Sequence, residues 1–294
     1  MTFIIDMIKG VFMGIANIIP GVSGGTMALS LGIYDKLIEA VSELTRKPKK
    51  SFAVLAPILV GILIGLIGFT YIVEYLLSSY TFITCMAFIG LIIGGLPMLI
   101  KKLKQALKES GTGIGFSGGL SFVILFSIAV FLPLLTSESE TMQTLSPSAA
   151  MAFIIFLVGM VASATMVVPG VSGSMVLMIL GYYYGILNSI KTFFNALKML
   201  DISAMTSEVM ILVPCTLGII LGILLIAKLI TFLFKEYAVQ TYCAILGLVI
   251  SSPFAIIYNT GVINQLDGLS PGSVIIGLIC ATAGFVLTNF VGEK

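Results

Sequence analysis

Apolar stretches near 20 residues long alternate along this chain with short polar or charged runs. The stretches at 52–74, 82–100, 114–135, 210–233, 239–258 and 272–291 are each long enough, as α-helices, to cross roughly 30 Å of hydrocarbon. Two further apolar regions, 3–40 and 149–190, are interrupted near their middle by Pro-Gly-Val-Ser-Gly. Proline disfavours helical geometry in the residue before it, so each of these regions is expected as helix, break, helix.

The interruption belongs to an internal duplication. Pro20 to Gly24 recurs unchanged as Pro169 to Gly173, an offset of 149 that also pairs Leu31-Gly32 with Leu180-Gly181 and Tyr34 with Tyr183. Further on the offset becomes 157: Pro57, Gly61 and Gly65 match Pro214, Gly218 and Gly222, Tyr80 matches Tyr237, Ala87 matches Ala244, and Gly90-Leu91 matches Gly247-Leu248. The eight-residue difference is expected as a longer polar loop around Asp201 to Glu208. The chain therefore reads as two repeats, 1–148 and 149–294, each with one broken element and three transmembrane helices. The spacings Gly61-x-x-x-Gly65 and Gly218-x-x-x-Gly222 suit close helix packing.

Composition turns this pattern into a class. Hydrophobic residues make up 59% of the chain and charged ones 10%, where a soluble domain carries about a quarter charged. The expected fold is an all-α polytopic membrane protein. Its basic residues lie between apolar segments, where topology accounts for them, so no nucleic-acid partner is implied. Met1 to Lys9 lacks a basic run followed by a small-residue cleavage site, and no cleavable signal is expected.

Charge also separates two topologies. If each broken element enters and leaves on the same side, the repeats are inverted and 13 of the 15 Lys and Arg share one face. Only Lys191 and Lys198 then lie opposite, together with the acidic loop Glu138 to Ser148. If the broken elements span fully, the repeats are parallel and the division is 11 against 4. The positive-inside rule favours two inverted repeats, each a re-entrant helical hairpin plus three transmembrane helices, with both termini cytoplasmic. Of the cations, Lys228 alone is read as lying within an apolar segment, near a helix end where it can snorkel.

The breaks are the candidate site, because non-helical backbone at membrane depth must be buried in protein or face water. Pro20 and Pro169 stop the incoming helices. Gly21, Gly24, Gly25, Gly170 and Gly173 let backbone amides face a ligand. Ser23 and Ser172 are placed to cap the restarting helices, with Thr26 and Ser174 in their first turns. A helix N-terminus with free amides and hydroxyls holds an anion without any cationic side chain. Asn17 adds a polar group to the first break, and its counterpart in the second is Met166.

Other residues carry less. Asp35, Glu39 and Glu43 share one helix face and read as a solvated helix end, with Asp35 the candidate for coupling to protons. Cys85, Cys215, Cys243 and Cys280 lie in apolar segments without metal-ligand spacing and read as buried thiols. With no histidine in the chain, neither a histidine metal site nor a histidine base is available. No metal or cofactor is expected. Tyr34, Tyr75, Tyr80, Tyr182, Tyr237 and Tyr258 are placed to form the interfacial belt.

At Gly14, Asn17 to Thr26 and Val168 to Ser174 the sequence resembles a bacterial membrane family associated with polyprenyl-phosphate translocation, the PopT type, over nearly the whole chain. The resemblance implies a transporter of undecaprenyl phosphate, the C55 lipid carrier, acting in the bacterial cytoplasmic membrane to recycle that carrier for cell-wall polymer synthesis. The partner would be a polyprenyl-phosphate lipid, and a homo-oligomer is compatible with it. The break is also similar to the Pro-Gly-x-Ser-Arg-Ser signature of undecaprenyl-pyrophosphate phosphatases. Gly24 and Gly173 stand where that signature has arginine, and no Glu precedes either motif within the membrane. Phosphoryl chemistry needs such charge stabilisation and a positioned base, so no enzyme activity is expected. A secondary transporter or channel for a small anion would use the same helix starts and is the remaining alternative.

Overall fold

The computed structural model describes residues 2–19, 22–111, 113–135 and 145–292. Pro20 and Gly21 lie outside the described residues, as does the expected acidic loop from Glu138 as far as residue 144. Every long element among the described residues is an α-helix. Six are long and apolar enough to cross a membrane, counting Thr81–Ser110 as one span, so the protein is an all-α polytopic membrane protein.

The first half runs α1 (Thr2–Ile18), α2 (Gly24–Ser30), α3 (Tyr34–Ser42), α4 (Pro48–Ser79), α5 (Thr81–Gly94), α6 (Leu96–Ser110) and α7 (Gly115–Phe131). The second runs α8 (Ala149–Val167), α9 (Gly173–Ile179), α10 (Tyr183–Met199), α11 (Ile202–Glu236), α12 (Ala238–Asn259) and α13 (Pro271–Gly292). The element order thus recurs, including a seven-residue helix after each break. Each short helix ends alike. Gly32 and Gly181, at φ 72° and 79°, take the left-handed position that glycine accepts without strain. The amides of Ile33 and Tyr182 then reach back to the carbonyls of Ala28 and Leu177, both at 2.9 Å. In the second copy the chain turns through 108° between α9 and α10.

The polar loop expected around Asp201 to Glu208 is helical instead. α10 has 17 residues against nine in α3, which absorbs the eight-residue difference in helix. Asp201 then starts α11 by accepting the Ala204 amide at 3.0 Å, so a polar stretch served as a cap and first turn rather than a loop.

The chain forms two compact units. One holds α1 to α7, residues 168–171, the end of α11 from Ala227, α12 and α13. The other holds residues 134–167 and 172–226. These units cut across the sequence halves for a visible reason. In the first unit α5 packs on α13, where a Cβ on Gly284 would sit 2.6 Å from the Ala87 carbonyl. The repeat-equivalent of α5 is α12, and it packs on α7, where a Cβ on Gly247 would sit 2.5 Å from the Phe122 carbonyl. Each half therefore lends its last helix to the other.

Within the first unit α1 lies against α4 with almost no side chain between them: a Cβ on Gly14 would fall 3.0 Å from the Cα of Gly65. Within the second unit α8 and α11 meet in the same way, with Gly218 and Gly222 against the Phe156 and Met160 carbonyls. Beside that contact Ile155, Val158, Ile186, Ile211 and Cys215 form a buried apolar cluster.

Lys9 departs from the expectation that the cations, Lys228 apart, lie between apolar segments. It is 5% exposed, halfway along α1, and Asp6 one turn earlier is 8% exposed.

Candidate functional site

The first break closes on itself. Ser23 has extended backbone (φ −109°, ψ 149°), and its Oγ accepts the Thr26 amide at 3.1 Å, capping α2 as expected. The hydroxyls of Ser23 and Thr26 are 2.9 Å apart, and both side chains are buried. The Gly24 amide donates to Asn17 Oδ1 at 2.8 Å, so the end of α1 is tied to the start of α2. A Cβ on Gly24 would lie 2.9 Å from the Asn17 amide nitrogen, so a side chain there would push the Asn17 side chain from its place. Gly25 completes the first turn.

Gly170, from the second motif, enters the same cradle. Its amide donates to Thr26 Oγ1 at 2.7 Å and to Ser23 Oγ at 3.3 Å. Gly170 has φ 79°, and a Cβ on it would fall 2.7 Å from the Leu248 carbonyl of α12. That carbonyl already accepts hydroxyls from Ser251 at 2.7 Å and Ser252 at 3.0 Å, both fully buried. Asn17, Ser23, Gly24, Thr26 and Gly170, expected from sequence, are thus joined in one hydrogen-bonded cluster, next to a serine pair that was not expected. The signal for that pair was available: two adjacent hydroxyls before Pro253 in an otherwise apolar run.

The second restart differs. Ser172 has similar backbone (φ −94°, ψ 124°) but makes no side-chain cap, contrary to expectation. Its Oγ lies 2.8 Å from Ser174 Oγ, and that pair is exposed. Gly173 is buried against Met166 and the Ala162 carbonyl, where a Cβ would be 2.7 Å from the oxygen. Met166 stands where the first break has Asn17 and offers no acceptor for the Gly173 amide. Pro169 and Val171 are buried.

Asp35 is not part of either break. Its carboxylate pairs with Lys102 of α6 beside a cavity of about 490 Å³ that Glu109, Phe234 and Tyr242 also line. Glu43, further along, accepts the Lys47 ammonium at 2.9 Å, a bond that holds its carboxyl below the usual range. The solvated helix end expected here holds for Glu43, whereas Asp35 is half-buried and ion-paired. Among the described residues no group of three or more His, Cys, Asp or Glu is arranged to hold a metal ion.

The first break therefore gathers hydroxyls, main-chain amides and a helix start, groups that can hold an anion once their internal hydrogen bonds are exchanged, and none of the groups described in that cluster is a cationic side chain. Comparison with known proteins adds to this. The model of the undecaprenyl phosphate translocase-like family matches residues 13–269. The chain belongs to that family. It is 29% identical over 295 residues to a polyprenyl-phosphate transporter of Staphylococcus aureus, covering 98% of this chain and 96% of that protein. It is also 24% identical over 266 residues to a polyprenyl-phosphate transporter of Vibrio cholerae, covering 86% of this chain and 77% of that protein. No solved structure matches.

Proposed function

We propose that this protein translocates undecaprenyl phosphate across the bacterial cytoplasmic membrane, returning the carrier for cell-wall polymer synthesis. The phosphate is held at the two breaks, by Asn17, Gly21, Ser23, Gly24, Gly25 and Thr26 in the first and by Gly170, Ser172, Gly173 and Ser174 in the second. The observation that carries this reading is the Gly170 amide donating into the Ser23 and Thr26 hydroxyls, at 3.3 and 2.7 Å. It brings backbone of one motif to the hydroxyls of the other, and hydroxyls and amides are the groups a phosphate monoester needs.

Helix dipoles and neutral donors suit a headgroup that must leave again, since they attract an anion without fixing it in an ion pair. The long apolar tail stays in lipid while the head crosses. The charge distribution supports inverted repeats with re-entrant breaks and cytoplasmic termini. Asp35, whose Oδ1 is buried with no partner among the described residues, is the carboxylate assigned to coupling. The relatives, polyprenyl-phosphate transporters, supply the lipid class, and no covalent chemistry is assigned to the site.

The test is reconstitution into liposomes, following movement of the phosphate headgroup against small-anion flux. Wild-type protein is expected to move the lipid, and the double variant Ser23→Val/Ser172→Val to lose that movement while still folding. Lipid movement retained by the double variant sinks the site. Small-anion flux without lipid movement makes the protein an anion transporter, and phosphate released from a lipid pyrophosphate makes it an enzyme.

A further inference from the structure

Lys9 is the buried cation this reading leaves unused. Lysine and aspartate are almost never buried to the 5% and 8% exposure of Lys9 and Asp6 unless they are paired. The Asp6 carboxylate is taken by Lys36 of α3, with nitrogen and oxygen 2.5 Å apart. Lys9 is attracted by that same Asp6 and repelled by Lys36. Among the described residues Lys9 makes no ion pair of its own, so two ammonium groups stand near one carboxylate and Lys36 holds it. The other carboxylates of α3 are committed elsewhere, Asp35 to Lys102 and Glu39 to Lys50 at 3.9 Å. A buried charge left uncompensated is costly, and a cation inside an apolar segment marks a place where a counter-charge is expected to come and go.

The cluster is also aligned with the first break. Asp6, Lys9, Met13 and Asn17 follow one another at spacings of three, four and four, which puts them on one face of α1. Asn17, at the end of that face, holds the Gly24 amide. Eight residues separate it from Lys9, about 12 Å along the helix at 1.5 Å per residue.

We propose that Lys9, together with Lys36, is a second station for a phosphate-monoester anion, and that Asp6 is the resident counter-ion the phosphate displaces. The proposal rests on the translocation reading above and extends it. The first break holds the headgroup by dipoles and hydroxyls; the lysine pair supplies the full charges that draw it onward. An ammonium is a compact point charge that does not fix phosphate in a two-point grip as arginine does, which suits a stop on a path.

The experiment measures binding of farnesyl phosphate to the purified full chain in detergent by calorimetry, with inorganic phosphate as competitor and thermal unfolding as the folding check. Lys9→Gln is expected to weaken farnesyl phosphate binding about tenfold, the scale of one lost charged contact, and Lys9→Arg to recover most of it. Asp6→Asn, which keeps both lysines and removes the competitor, is expected to tighten binding. It tests the proposal by itself where Lys9→Gln fails to fold. Unchanged affinity in Lys9→Gln, or weakened affinity in Asp6→Asn, overturns the proposal. Inorganic phosphate competing as well as farnesyl phosphate would assign the station to the free anion and overturn its role for the lipid. If wild-type protein binds farnesyl phosphate, and Ser23→Val abolishes this while Lys9→Gln does not affect it, the second station fails and the translocation reading stands. Absence of binding to the wild-type chain overturns both.

Discussion

The two breaks carry the same five residues and different hydrogen bonds. In the first, three amides are taken: Gly24 by Asn17, Thr26 by Ser23, and Gly170 by the two hydroxyls. In the second, Ser172 leaves its helix uncapped and turns to Ser174 at an exposed position. The difference lies in the neighbours. The positions of Asn17 and Thr26 are held in the second copy by Met166 and Met175, which cannot accept an amide in the same way. Identical motifs thus give, among the described residues, a shut turn whose amides are taken in one place and an open one in the other. Under the translocation reading, the open turn meets an incoming headgroup, and the shut one must exchange internal bonds for bonds to phosphate.

The comparison can be broken by substitution. Gly170→Val should have the largest effect, because a β-branched residue at φ 79° is strained and its side chain meets the Leu248 carbonyl. A loss of at least about 2 kcal/mol is expected, read as a lowered unfolding midpoint, with transport abolished. A chain that tolerates valine there would show that the turn is not as tightly held as its geometry requires. Thr26→Val should cost about 1–3 kcal/mol, the penalty for leaving the buried Gly170 amide with a poorer acceptor, and Thr26→Ser should restore it. Equal stability of the valine variant would mean that the bond across the motifs contributes nothing. Ser172→Ala sharpens the contrast from the other side. With no cap to lose, its unfolding midpoint should stay within about 0.5 kcal/mol of wild type while transport falls several-fold. A stability loss matching that of Thr26→Val would make the second break a structural turn like the first.

Much of this architecture was legible in the residues. Helices lie along the apolar runs, and α5 and α12 start just after Tyr80 and Tyr237, but the run 114–135 holds a helix of only 17 residues, whereas Ala149–Val167, expected as one arm of a hairpin, is by itself long enough to span. Gly61 and Gly65 announced the close contact of α4, although their partners Gly10 and Gly14 on α1 were not predicted. The hydrogen bonds around the first break were legible in part, since Ser23 was expected to cap α2 and does so. The sequence pattern failed where tertiary context decides. Polar residues from Asp201 to Glu208 read as a loop because isolated polarity does not distinguish a cap and exposed helical turn from a linker. Lys9 read as one of the cations outside the apolar runs because a single charge near the start of an apolar run gives no sign of what surrounds it. Ser172 read as a cap because its motif is the same as that of Ser23, while the groups that make the cap work lie outside the motif.

The exchange of last helices between the halves has a consequence for how the chain is made. α5 has its close-packed partner in α13, so its buried glycine face stays uncovered until α13 has been synthesised. α7 likewise waits for α12. Neither half can finish folding first and serve as a platform for the other. The polypeptide must hold partly packed helices in the bilayer until their partners from the other half arrive. Quality control then has a simple signal to read, because a chain stalled before α13 leaves Gly90 and Gly94 facing lipid where the finished molecule would hold helix.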